Sequence, residues 1–342
     1  LIADHLLPFR PGNPVSEEEA LKVASFIGTI NAPKVVALSY QHLDFLYDLI
    51  NRHQLNCHVL AVPPNVLPFL ESKDEQVKVA KACGFEVKQT WQLDYTTFKE
   101  VPESAFPIVV RPDGAGSAEP FFKVQCFDTP KELETFINSL EAINRPLIAQ
   151  SFIDGKNIIV HGCRHATKSV SVQQGFLVNR MHAGLSISLT PTVLPDLVLD
   201  ACNDFCEKAN IKGIYHFDLR QDSTTNTYYF LEVNARLGGT TGKVFRLGFD
   251  EPDHLLCAFD KKVDFPAQIE LAEKTASNRH AIIRSSLETI KSRLTRFDYP
   301  QGTKGKILLE NAYALLVYRD ELYSLRHPLT SMAYFLNNLL VK

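Results

Sequence analysis

The sequence has no CxxC pair, no excess of positive charge, and no apolar run near the ~18 to 20 residues that cross a bilayer. Each absence removes a class of function. Lys and Arg number 36 against 39 Asp and Glu, a net charge of −3, which argues against a broad nucleic-acid-binding surface. A local basic pocket for a small anion stays open. The cysteines Cys57, Cys83, Cys126, Cys163, Cys202, Cys206 and Cys257 are odd in number and scattered, the pattern of reduced thiols in a cytoplasmic protein. Cys202 and Cys206 lie four apart on an expected helix, as two apolar thiols on one face rather than metal ligands. The opening "LIADHLLPFRPGNP" lacks the basic start and long apolar core of a secretory signal, and its lack of an initial Met fits a fragment or a processed form. No GK[ST] and no GxGxxG occurs, so neither a Walker A loop nor a dinucleotide fingerprint is present. No Ser-His-Asp or Cys-His set stands out, so chemistry through a protein nucleophile is not expected. No internal repeat is visible.

What is there reads as an ordinary globular chain of 342 residues, 45% hydrophobic and 22% charged, long enough for two or three lobes. "SEEEALKVASFIGTI" begins with a capping Ser16 and continues with helical spacing of Leu21, Ala24, Phe26 and Ile27. "PKVVALSY" and "CHVLAVPP" read as buried strands on either side of the helix "HLDFLYDLINRHQL", a βαβ unit. This first lobe spans residues 1–71. "KDEQVKVAKACGF" is an amphipathic helix closed by Gly84. "FPIVVRPDGAGSAEPFFKVQCF" reads as two strands around a glycine-rich loop, and "TPKELETFINSL" as a helix capped by Thr129 with Pro130 at its first position. "RPLIAQSFI", "KNIIVHGCR" and "SVSVQQGFLV" read as strands, and "PDLVLDACNDFCEKANI" as a helix. A second lobe is expected over 72–153, a third over 154–260, and a weakly patterned α/β segment over 261–342. The C-terminal "LTSMAYFLNNLLVK" is amphipathic and suited to packing on the body or on a second copy. The overall class is α/β with α+β.

The most informative stretch is a hairpin, "GIYHFDLRQD" and "TYYFLEVNAR", turned by "STTN". On the first strand Tyr215, Phe217 and Leu219 share one face, and His216, Asp218 and Arg220 the other. On the second, Tyr229, Leu231 and Val233 form the apolar set, opposite Phe230, Glu232, Asn234 and Arg236. A hairpin centred on Thr225 sets Asp218 directly across from Glu232. Carboxylates so opposed have Cβ atoms roughly 4.5–5.5 Å apart and repel, so a cation belongs between them. Two carboxylates and an amide oxygen are hard ligands, suited to Mg²⁺ or Mn²⁺ rather than zinc. A solvated outer sheet face with incidental charges remains an alternative reading of the hairpin by itself. His216 shares the polar face and can reach a substrate or a water. His182 reads as structural or exposed, and His161 and His165, flanking Cys163 on a strand, do not suggest zinc.

The glycine-rich "RPDGAGSAEPFFKV" places Gly114, Gly116 and Ser117 between Arg111 and Lys123, a loop able to bring N–H groups to phosphate oxygens. Taken in order, "ESKDEQVKVAKACGFEV", "FPIVVRPDGAGSAEPFFKV", "LIAQSFIDGK" and "GIYHFDLRQD…YYFLEVNARLGG" resemble the ATP-grasp superfamily, over roughly Glu71 to Asp260. The Asp…Glu-x-Asn-x-Arg-x-Gly-Gly run is the most specific part.

That resemblance implies an ATP-grasp fold preceded by a βαβ (pre-ATP-grasp) lobe, with ATP and Mg (or Mn) held between two α+β lobes under a mobile glycine-rich flap. It implies that Asp218, Glu232 and Asn234 ligate the metal. Lys73 and Arg111 would contact phosphates, Arg111 standing where the family usually has a second lysine. Gln150, Ser151, Phe152 and Ile153 would form the hinge that meets adenine through backbone groups, Gln150-Ser151 replacing a usual acid. Arg236 and Lys123 would serve the reacting groups, and Arg180, His216, Gly238 and Gly239 the substrate. Asn157 replaces a glutamate common among relatives, which leaves the ribose or substrate contact there open.

The implied function is an ATP- and magnesium-dependent ligase that joins a small-molecule carboxylate to an amine through an acyl phosphate, releasing ADP and phosphate. A carboxylase-like relative activating bicarbonate and a nucleotide-binding regulatory protein without turnover are the alternatives. No nucleic-acid or membrane partner is implied, and oligomeric state, a homodimer included, is open.

Overall fold

The computed structural model describes residues 15–30, 33–113, 116–182, 185–260, 264–266, 269–272, 274–291, 303–322 and 328. Gly114 and the amphipathic stretch at 329–342 lie outside them. Helix α1 (Glu17–Gly28) starts with a capping box: the Ser16 hydroxyl accepts the Glu19 N–H at 3.3 Å, and the Glu19 carboxylate takes the Ser16 N–H at 2.8 Å. Strand β1 (Lys34–Val35), α2 (Tyr40–His53) and β2 (His58–Val59) follow, with Lys34 opposite His58 in a parallel pair. This is the βαβ unit of the sequence, although only two residues of each eight-residue apolar run enter the ladder. Ala37, Leu60 and Val62 of those runs are buried as irregular core, whereas Val36 and Leu38, expected to be buried, are exposed.

Helices α3 (Leu67–Glu71) and α4 (Lys73–Ala82) come next, and Gly84 at φ +87° ends the turn after α4, a conformation that costs glycine little. Then come β3 (Thr90–Leu93), β4 (Ile108–Pro112), β5 (Ala118–Glu119), β6 (Gln125–Phe127), α5 (Pro130–Ile137), β7 (Ala142–Ile143) and β8 (Leu147–Ser151). Strands β3, β8, β4 and β6 lie in that order in one antiparallel sheet. Leu93, Ile108, Val110, Leu133, Ile137, Leu147 and Ala149 fill its covered face.

The second sheet is built from β9 (Gly155–Arg164), β10 (Ser171–His182), β11 (Leu185–Thr192), β12 (Gly213–Asp222) and β13 (Tyr228–Asn234), with α6 (Asp196–Lys208) between β11 and β12. Helices α7 (Thr241–Arg246) and α8 (Glu251–Phe259), then β14 (Ala276–Ser277), α9 (Arg279–Lys291), α10 (Lys304–Val317) and β15 (Arg319–Asp320), complete the described chain. The order is β13-β12-β9-β10-β11-β14-β15, so the C-terminal β14 and β15 extend the same sheet. Phe205 of α6 meets Phe217 and Phe230 with ring centroids 5.2 and 5.5 Å away, and Phe85 lies 5.9 and 5.7 Å from the same two. Rings buried this way contribute roughly 1.5–3 kcal/mol each. Cys202 and Cys206 are fully buried on α6, burial pushes both thiols up, and all seven cysteines are free. Among the described residues no helix is long and apolar enough to cross a membrane.

The hairpin corrects the sequence reading in one respect. Asp218 does stand opposite Glu232, and His216 opposite Asn234, but Leu219 pairs with Phe230 and Arg220 with Tyr229. The ladder shifts by one residue at Leu231, a β-bulge. The turn is therefore centred between Thr224 and Thr225, and the extra residue restores the expected register at the carboxylates. Phe230, expected on the polar face, is 1% exposed and belongs to the core with Val233. Leu231, expected in the core, lines a cavity.

Candidate active site

The cavity, about 720 Å³ in volume, is lined by both sheets, in the size range of small-molecule sites. Asp218 and Glu232 meet in its wall beside Asn234, whose amide donates to Glu232 Oε1 at 3.2 Å. The outer edge of β13 is held by Gln76 of α4, which accepts the Val233 N–H at 2.9 Å and donates to the Val233 carbonyl at 3.3 Å. That clamp fixes the strand between Glu232 and Asn234.

Two cations stand on the Glu232 side. Lys73 Nζ is 3.9 Å and Arg111 Nη1 3.4 Å from Glu232 Oε2. Lys73 Nζ also donates to the Pro112 carbonyl at 3.1 Å, while Arg111 Nη2 donates to the Leu231 carbonyl at 2.8 Å. The bulge thus presents a carbonyl that aims Arg111. Burial opposes the charge on Glu232, but Arg111, Lys73 and the Asn234 amide outweigh it and hold the carboxyl below its usual range. Asp218 goes the other way: burial first, then the Glu232 charge, pushes it up to about 8. A divalent cation between the two would relieve that repulsion, so the donor set fits magnesium, with water and phosphate oxygens as further ligands. Among the described residues no group of three or more His, Cys, Asp and Glu side chains is placed to hold a metal.

Arg236 lies in the same wall, its guanidinium carbon 5.6 Å from the Tyr40 ring centroid and its Nη1 on the Leu237 carbonyl at 3.2 Å. No carboxylate pairs with it among the described residues, so its charge is available to an anion. Burial raises Tyr40 to about 12 and keeps the ring neutral. Lys123 lines the cavity with Phe121, Phe122 and Val124, and Gln150, Ser151, Phe152 and Ile153 line it at the junction of β8 and β9. The Phe152 N–H is committed to the Pro107 carbonyl at 2.8 Å.

Other expected residues fall elsewhere. Gly116 and Ser117 do not reach the cavity wall: the Gly116 carbonyl accepts from Asn144 Nδ2 at 3.1 Å, and the Ser117 carbonyl from the Asn144 N–H at 2.9 Å. Arg180 is tied to α10, donating to Asn311 Oδ1 at 2.7 Å and to the Ile307 carbonyl at 3.0 Å, outside the wall. His182 pairs with Glu288. Gly239 lines the cavity, whereas Gly238 packs on His216, where a Cβ would stand 2.8 Å from the ring.

His216 lines the cavity, and burial, then neighbouring His161, pushes it down to about 3, leaving it neutral. Behind it is a buried network the sequence did not reveal. His161 Nδ1 faces Glu251 Oε1 at 2.7 Å, its Nε2 faces the Thr240 hydroxyl at 3.1 Å, and Thr241 donates to Glu251 Oε2 at 2.5 Å. The Gly238 N–H donates to the Thr241 hydroxyl at 3.0 Å, so the turn over Gly238 to Thr241 is held from beneath. Lys243, also missed, lines the cavity and pairs with Glu321 at 2.7 Å. Glu251 follows Asp250 at a helix start and reads as a capping acid in sequence. Lys243 and Glu321 are too far apart in the chain for any local pattern to join them.

No family model matches the sequence, and no curated protein does. Solved structures do match. The biotin carboxylase domain dimer of Hydrogenobacter thermophilus 2-oxoglutarate carboxylase, in complex with magnesium ADP, ADP and bicarbonate, has a TM-score of 0.62 at 11% identity, over 75% of this chain and 60% of that one. The ADP complex of PurK, N5-carboxyaminoimidazole ribonucleotide synthetase, has a TM-score of 0.61 at 11% identity, over 88% and 84%. L-amino acid ligase from Bacillus licheniformis has a TM-score of 0.50 at 18% identity, over 66% and 54%. This chain thus spans little more than half the length of the first and last of these. All three are ATP-grasp proteins. The architecture described above, two α+β lobes lining one cleft with the acid–acid–amide hairpin inside it, is the ATP-grasp fold, and this chain has that fold.

Proposed function

We propose that the protein is an ATP- and magnesium-dependent ligase that joins a carboxylate to an amine, releasing ADP and phosphate. The observation that carries this reading is the Asp218–Glu232 pair with Asn234, in one cavity wall with Lys73, Arg111 and Arg236. Magnesium, held by Asp218, Glu232 and Asn234, would neutralise charge on the β- and γ-phosphates. The chain's own groups do the rest. Lys73 and Arg111 hold phosphate oxygens, each already oriented by a carbonyl, of Pro112 and Leu231. Gln150 to Ile153 receive the base. Arg236, without a carboxylate partner, holds the substrate carboxylate in line with the γ-phosphoryl group, and Lys123 adds charge as the group transfers. Attack by that carboxylate gives an acyl phosphate and ADP, and an amine then displaces phosphate. Phe121 and Phe122, which line the cavity beside Lys123, would help to keep water from the acyl phosphate. Neutral His216 contributes a polar contact rather than a charge.

A screen of free amino acids and small carboxylic acids for ADP release, with magnesium and ATP, tests this. Turnover that needs both a carboxylate and an amine supports the ligase. Stimulation by bicarbonate in their place would mark a carboxylase-like enzyme. Binding of ATP with no ADP release under any mixture would mark a regulatory protein instead.

A further inference from the structure

Arg220 is 5% exposed and lies in the cavity wall on β12. Its Nε donates to the Ile153 carbonyl at 2.6 Å and its Nη1 to Asn157 Oδ1 at 2.9 Å. The guanidinium carbon sits 4.8 Å from the Phe152 ring centroid. Among the described residues no carboxylate lies within ion-pair distance of it, although the Asp154 charge favours the guanidinium, and its Nη2 edge, at the cavity wall, makes no hydrogen bond to the protein. Donors held at a cavity wall are satisfied by water or by acceptors that a ligand brings in. Packing alone would not call for a guanidinium here, since an apolar side chain would cover Phe152 with no charge to desolvate.

Position narrows what the acceptor is. Arg220 touches Phe152 and Ile153 at the end proposed for the base. Asp218, at the end proposed for the phosphates, lies two residues away on the same face of β12, about 6–7 Å along the strand. The part of a nucleotide that lies between base and phosphates is the sugar. A guanidinium only donates, and ribose hydroxyl oxygens accept. Asn157, directly across from Arg220 in the ladder, turns its Oδ1 to the guanidinium and so aims the fork instead of competing for the sugar.

We infer that Arg220 is the ribose-recognition residue of the site, its Nη2 edge donating to a ribose hydroxyl of the bound nucleotide; this rests on the ATP reading above. Titration calorimetry with magnesium ADP, 2′-deoxy-ADP and 3′-deoxy-ADP tests it without any need for turnover. Wild type should prefer ADP over at least one deoxy analogue by about 10- to 100-fold, the range of a hydrogen bond from a charged donor. Arg220→Met should shrink that preference to about threefold or less by weakening ADP while sparing the deoxy analogue, and Asn157→Ala should fall between. Should the Met variant melt early by circular dichroism, Arg220→Lys gives the same reading, because an ammonium cannot hold the fork. Equal wild-type affinity for all three nucleotides would overturn the inference. So would an Arg220 variant that weakens all three alike, the mark of a residue that only braces the hinge. Absence of any ADP binding by wild type would instead sink the nucleotide reading itself, and this inference with it.

Discussion

Asp218 and Glu232 face each other across two strands, yet their surroundings push them apart in acidity. Lys73 and Arg111 stand with Glu232, while burial and the Glu232 charge hold a proton on Asp218 up to about pH 8. An unfolded chain releases that proton near 3.8. Between those values the folded protein binds more protons than the unfolded one, so stability without metal should fall as pH rises across the window. A divalent cation replaces the proton, and its stabilising shift should therefore grow with pH. Melting temperatures with and without magnesium and ADP, from about pH 6 to about pH 9, check this; a shift that is flat with pH would remove Asp218 from the ligand set. The same wall predicts that Glu232→Gln loses magnesium-dependent ADP release by about 100-fold or more, beyond the ~10–100-fold typical of outer-sphere partners. Turnover that kept its magnesium dependence in that variant would show the metal assignment to be wrong.

At the scale of elements, the bulge at Leu231 decides how the hairpin is used. The ladder on either side pairs Asp218 with Glu232 and Leu219 with Phe230, so removing Leu231 leaves both pairs in register. What goes is the carbonyl that aims Arg111. Deletion of Leu231 should then weaken nucleotide binding by roughly tenfold, the scale of one charged hydrogen bond, while keeping the response to magnesium. Calorimetry with magnesium ADP reads both, and a deletion variant blind to magnesium would mean that the bulge sets the register after all. The period of two made Asp218, Glu232 and Asn234 legible in sequence, because all three lie on the side of the bulge away from the turn, where the expected pairing holds. Phe230 was not legible, since nothing in "YYFLEVN" marks an added residue. Strands β3 and β11 also went unread, and Arg180 looked like a substrate contact because a basic residue near a loop carries no sign of the helix it anchors.

For the whole molecule, the segment after residue 260 is tied into the sheet that carries the site. Strand β14 pairs with β11 and β15 with β14, and Asn278 and Ala281, just beyond β14, line the cavity. The fastening is ionic. Lys243 is 2% exposed and its Nζ meets Glu321 Oε2 at 2.7 Å, while Asn278 donates to the other Glu321 oxygen. Neither residue could be paired from sequence, 78 positions apart, and neither strand is long enough to announce itself. Removing one member leaves a buried charge unmatched, so Glu321→Ala should lower unfolding free energy by ~3–5 kcal/mol in urea titration. Lys243→Met combined with Glu321→Leu removes both charges and keeps the volume, and should recover most of that loss. A double variant as unstable as Glu321→Ala would place the effect in the packing of β15 instead. A single variant near wild-type stability would show that water reaches Lys243 and that the C-terminal strand is held by its ladder alone.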